Sequence, residues 1–108
     1  MLPKKNKLSS EELRRVFESG YKSFKTDIFT VLLLPDKEKL AFAVVVSNKV
    51  ANKAHTRNLL KRKTFSVLKD LFEDFDKGLY VFIVKKNFEK EDRKILLRDI
   101  ESFIKPKR

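Results

Sequence analysis

Two hydrophobic periods alternate along the chain. Leu13, Val16 and Phe17 recur at helical spacing behind Ser9, Ser10, Glu11 and Glu12, residues that cap a helix start and complement its positive end. Gly20 supplies the stop. From Lys22 to Leu34 apolar and β-branched residues dominate, which predicts strand with a bend near Lys25 to Asp27. Pro35-Asp36-Lys37 is a turn and Leu40 to Ser47 a second strand, so proximity in sequence predicts an antiparallel hairpin. The apolar run Ala41 to Val46 predicts a central strand covered on both faces. Leu60, Thr64, Val67, Leu68, Leu71 and Phe75 then keep the 3.6-residue period, a buried stripe on a helix from Arg57 to Phe75. Asp76-Lys77-Gly78 ends that helix, and Leu79 to Val84 reads as a strand. A last helix runs from Asn87 to Ile104, with Pro106 as its stop. The order α-β-β-β-α-β-α predicts an α+β (α/β sandwich) fold in one domain over residues 1–108, a small sheet packed by helices. Residues 1–8 are expected to be a loose basic N-terminus.

Charge changes the picture more than composition does. The 108 residues carry a formal charge of +11, which opposes compaction and calls for a physical reason. From Lys39 to Lys69, both included, there are eight Lys/Arg and no Asp or Glu, so this stretch holds most of the excess. The other 77 residues carry 18 Lys/Arg against 15 Asp/Glu. Such concentration points to a polyanionic partner. The absence of Cys excludes disulfides and thiolate metal sites. No apolar run reaches bilayer-spanning length, and the N-terminus turns charged where a signal peptide would be apolar. The expectation is a cytoplasmic protein with no membrane partner.

The chemistry for bond breaking is sparse. His55 is the single histidine and has no carboxylate within fourteen residues to build a local metal cluster. Glu11-Glu12, Glu73-Asp74 and Glu91-Asp92 are neighbours in sequence that need not converge. Gly20 and Gly78 stand alone, so there is no phosphate-cradling glycine loop. No catalytic residue and no metal ligand is assigned; the chain reads as a binder. Its densest feature runs from Lys49 to Arg62. Arg57 and Lys61 lie one helical turn apart, Arg62 widens the patch, Asn58 can hydrogen-bond bases or sugars, and Lys49 and Lys53 precede the helix start. Basic residues at a helix start oppose the helix dipole, which suggests that they face something anionic.

The segment VVSNKVANKAHTRNLLKR resembles the signature of the bacterial ribonuclease P protein family. Ser47, Lys49 and Val50 match its first part, Ala54 its second, and Arg57-Asn58 with Lys61-Arg62 its third. Leu2-Pro3-Lys4, Leu8, Val16-Phe17 and Gly20 match the flanks. Asn48, Ala51, Leu13 and Phe65-Ser66 depart from the family's usual Lys, Gly, Phe and Arg-Glu, and the loop before Arg57 is one residue longer.

That resemblance implies a mixed-sheet sandwich like that of certain ribosomal proteins, with a left-handed β-α-β crossover. It implies a protein subunit of ribonuclease P, an endoribonuclease whose active site lies on its RNA. The partners implied are the ribonuclease P RNA and precursor tRNA, with no obligate protein partner. Mg²⁺ would be bound mainly by the RNA subunit, with no organic cofactor. Lys49, Lys53, Arg57, Asn58, Lys61 and Arg62 would contact the catalytic RNA, with Ala54 on the same surface. Phe17, with Phe29 or Val31 from the sheet, would line a cleft for the 5′ leader of precursor tRNA; the plainer reading makes Phe17 and Phe29 core. Three rivals remain: a ribosome-associated RNA-binding protein, a DNA-binding module using the Arg57 helix, and a stand-alone nuclease using His55.

Overall fold

The computed structural model describes residues 3–104; Met1, Leu2 and the predicted stop at Pro106 lie outside the described residues. Helix α1 spans Ser10–Glu18. Ser9 caps it reciprocally: its Oγ accepts from the Glu12 N–H (3.2 Å) while its own N–H donates to Glu12 Oε1 (3.0 Å). Gly20 leaves the helix at φ 79°, where a side chain would be strained. Strands β1 (Lys22–Lys25) and β2 (Phe29–Pro35) form an antiparallel hairpin, so the expected bend is a full reversal. Its turn is held by Asp99 of the last helix, which accepts from Thr26 Oγ1 (2.6 Å), Asp27 N (3.0 Å) and Ile28 N (3.2 Å).

Strand β3 (Leu40–Val45), helix α2 (Ala54–Asp70), strand β4 (Gly78–Val84) and helix α3 (Arg93–Ile104) complete the order. All six residues of the predicted α2 stripe are buried; Leu71 and Phe75 lie beyond the helix end, around a 3-10 turn at Phe72–Asp74. The last helix starts later than Asn87. Asn87 Oδ1 accepts from the Glu89 N–H (2.8 Å) and so holds a turn, while Asp92 Oδ1 accepts from the Lys94 N–H (3.1 Å) at the start of α3.

The sheet order is β1-β2-β4-β3, which corrects the expected β2–β3 hairpin. Strand β4 inserts between them, antiparallel to β2 and parallel to β3. It is almost wholly buried, and a central position lets both of its edges pair. The short β2–β3 connection therefore crosses the start of β4, where Gly78 N donates to Lys39 O (2.8 Å). A Cβ on Gly78 would lie 2.8 Å from Leu33 Cδ1 and 3.3 Å from Leu34 O, so a side chain at this close crossing would displace the Leu33 side chain. Strand β3 is an edge strand rather than a central one.

Its outer edge is covered by the segment expected to be loose. Lys4–Asn6 forms a 3-10 turn, Lys7 bridges Phe42, Leu8 N donates to Phe42 O (2.9 Å) and Asn6 Nδ2 donates to Leu40 O (2.9 Å). Residues 3–8 are thus docked, because a bare sheet edge leaves backbone donors and acceptors unpaired.

Strand alternation divides the core. Phe29, Val31, Phe42, Val44, Tyr80 and Phe82 face α2 and α3. Leu32, Ala41, Leu79 and Val81 face α1 through Val16. Arg15 pairs with Asp36 (3.3 Å) and Glu12 with Lys39 (2.6 Å), which tie α1 to the β2–β3 connection. The Lys39 bond holds the Glu12 carboxyl below its ordinary range.

Tyr80 is fully buried, and its hydroxyl donates to Asp76 O (2.7 Å). Burial, with the Asp76 charge adding to it, pushes its phenol up to about 12. An unfolded tyrosine ionises near pH 10, so the protonated phenol contributes fully below that pH. The contribution is lost as pH rises from about 10 through about 12, a loss of roughly 3 kcal/mol. Urea midpoints measured across that window should fall more for this chain than for Tyr80→Phe; equal falls would contradict the assignment.

Candidate nucleic-acid interface

Two surfaces meet at the C-terminal ends of β3 and β4. The first is basic. Ser47 O accepts from Val50 N (3.1 Å) and Ala51 N (3.2 Å), turning the chain out of β3 toward α2. Lys53 is the N-cap of α2 and gives no side-chain cap, and the first helical turn holds no acid. Its first N–H groups and positive dipole end therefore remain available to an anion. Leu60, Thr64, Val67 and Leu68 fix the helix on the sheet. That packing leaves Asn58 and Arg62 on the exposed crest and Arg57 and Lys61 on one half-buried flank.

Lys49, Lys53, Arg57, Asn58, Lys61 and Arg62 thus share one end of the molecule. Among the described residues none of the five cations forms an ion pair; the pairs present are Arg15–Asp36, Lys39–Glu12 and Arg93–Asp70. Arg57 Nη1 donates to Ala51 O (3.0 Å), which fixes the guanidinium and uses one of its five N–H donors. A polar hollow of ≈ 520 Å³ borders the loop, lined by Lys49, Lys53, His55, Asn87 and Glu89 among others. His55 is exposed at its rim. No group of three or more His, Asp or Glu that could hold a metal exists among the described residues.

The second surface is the bare half of the α1-side sheet face. Helix α1 covers the rows of Leu32, Ala41, Leu79 and Val81. Toward the other end Thr30, Ala43, Val45 and Ile83 are only half-buried, and the registers Thr30↔Ile83 and Val45↔Ile83 place them side by side. Phe17, 49% exposed, stands on α1 with its ring edge-on to Tyr21 (centroids 6.2 Å apart).

Phe29 and Val31 do not join it. Both are 0% exposed and project from the opposite face into the α2/α3 core, where Phe29 packs edge-to-face on Phe82 at 5.4 Å. A side chain with no accessible surface cannot stack a base. One step along β2 flips every side chain, so Thr30 occupies the cleft side instead. The period-2 pattern was legible in sequence, but nothing local says which face α1 covers. Ala43, Val45 and Ile83, half-buried on the same face, carry no signal in the sequence, because their apolar character reads equally well as core.

The separation of α1 and α2 onto opposite faces also removes the helix-turn-helix geometry that DNA binding through α2 would use. No helix among the described residues is long and apolar enough to cross a membrane.

A family model described as Ribonuclease P matches residues 2–107. A relative from Carboxydothermus hydrogenoformans, named Ribonuclease P protein component, is 33% identical over 100 residues, covering 89% of this chain and 84% of its own length. The solved structure of the RNase P protein from Thermotoga maritima superposes with a TM-score of 0.78 at 23% identity, over 93% of this chain and 96% of that one. The Staphylococcus aureus RNase P protein gives 0.76 at 17% identity, over 94% and 93%. The two structural likenesses speak for the fold, and the family match together with the sequence relative for the family.

Proposed function

This chain belongs to the ribonuclease P protein family, and from that premise we propose how its surfaces serve removal of the 5′ leader from precursor tRNA. It is an RNA-binding protein component of ribonuclease P. In our reading Lys49, Lys53, Arg57, Asn58, Lys61 and Arg62 bind the catalytic RNA, with Arg57 as a fixed fork on phosphate and the lysines as mobile point charges. The leader lies along the bare sheet half, where Phe17 stacks a base without demanding sequence. The carrying observation is the group of five cations at one end of α2, unpaired with any described acid and next to that bare sheet half.

In the same reading Mg²⁺ is held mainly by the RNA subunit. What the protein contributes is affinity and position: it neutralises backbone charge and holds the leader so that the RNA's site meets the scissile bond.

Reconstitution tests this. The protein is combined with ribonuclease P RNA and precursor tRNA at low magnesium, and cleavage at the mature 5′ end is followed. We expect cleavage at magnesium levels where the RNA alone is slow. We also expect Phe17→Ala to weaken binding of leader-bearing precursor by about tenfold while leaving mature tRNA unaffected. No effect of the protein across a magnesium titration would reject the function and favour a ribosome-associated RNA binder. Equal effects of Phe17→Ala on both RNAs would reject the leader cleft.

A further inference from the structure

The basic face of α2 does not end with the helix. Arg57, Lys61 and Phe65 succeed one another one turn apart along the same flank. At Phe65 that flank meets the N-terminal segment: the Lys7 Nζ lies 5.3 Å from the Phe65 ring centroid. The position of Lys7 is set by contacts to the backbone of β3. The bridge Lys7↔Phe42, the bond from Leu8 N to Phe42 O (2.9 Å) and that from Asn6 Nδ2 to Leu40 O (2.9 Å) lay the segment along the outer edge of β3. Leu8 then packs toward α1 while Lys7 turns to the α2 side, as alternation along an added strand requires.

Lys7 makes no ion pair with a described acid. A cation over an aromatic face keeps its full charge and most of its N–H groups, because the ring takes only one side of the ammonium. Phe65 therefore acts as a seat that orders a charge delivered from elsewhere in the chain.

We propose that Lys7 is a further RNA-contact residue: held over Phe65 by the segment docked on β3, it extends the Arg57–Lys61 stripe by one phosphate contact. This rests on the reading of α2 as the face that binds the catalytic RNA. The docked N-terminal segment then forms a second wall of the interface, and the edge of β3 is covered for recognition as well as for backbone pairing.

Full-length protein binding to ribonuclease P RNA, measured over a salt series alongside thermal unfolding, tests it. Lys7→Gln is expected to lower affinity about fivefold and to flatten the salt dependence by about 0.7–0.9 of one logarithmic unit, the signature of one lost phosphate contact. Its unfolding midpoint should stay in place, and Lys7→Arg should restore both affinity and slope. If Lys7→Gln instead lowers the midpoint and leaves the slope unchanged, Lys7 is only a structural pin and the proposal is wrong. The Arg57→Ala/Lys61→Ala double variant runs beside it. Loss of affinity there with none for Lys7→Gln overturns Lys7 alone, whereas no loss in either rejects the α2 interface and Lys7 with it.

Discussion

Replacing Arg57 and Lys61 together with alanine is expected to weaken binding to ribonuclease P RNA about a hundredfold at physiological salt. Each is a cation free of acidic partners on one flank of α2. Hydrogen bonds to charged groups are worth about 1.5–3 kcal/mol each, so two lost contacts at the low end of that range give about 3 kcal/mol, on the order of a hundredfold. The salt dependence should flatten by about two phosphate contacts, which distinguishes lost charge from misfolding. A small stability cost is expected as well, about 1 kcal/mol, because Arg57 Nη1 no longer satisfies the carbonyl of the buried Ala51. Binding isotherms over a salt series, with a thermal melt of each variant, check both parts. An unchanged salt slope would mean that these side chains do not meet phosphate.

Phe42→Ala is expected to give the largest loss of stability. Phe42 is fully buried in an aromatic cluster: its ring lies 4.9 Å from Phe75, 5.6 Å from Tyr80, 6.2 Å from Phe82 and 6.3 Å from Phe72. Truncating such a ring costs about 3–5 kcal/mol, against a total of about 5–15 kcal/mol for a domain. The urea midpoint should fall steeply with little change in the denaturant slope, and a loss below about 1 kcal/mol would show that the cluster collapses into the gap.

The candidate site was only partly legible. The cations from Lys49 to Arg62 were visible because charge with no acid among it is unusual in a folded chain, and an i, i+4 spacing places Arg57 and Lys61 together whatever the tertiary arrangement. Phe17 was legible as a site residue only through the family resemblance, because helical spacing alone groups it with Leu13 and Val16 on one apolar face. The sheet side of the cleft was not. Phe29 and Thr30 obey the same alternation, and the choice between them depends on which helix covers which face. Lys7 was invisible for a related reason: its ring partner lies 58 positions away, in another element.

By itself the sequence determined the elements, their order, the buried stripe of α2 and the polyanionic character of the partner. These follow from local periodicity, capping and charge density, which act over a few residues or need only be summed. The tertiary structure alone decided that β4 lies between β2 and β3, that Phe29 and Val31 belong to the inner core, and that residues 3–8 close the edge of β3. Strand pairing is a competition among distant segments with similar apolar patterns. Its outcome is set by which arrangement buries the most surface while pairing every backbone edge, a property that no local window of the chain contains.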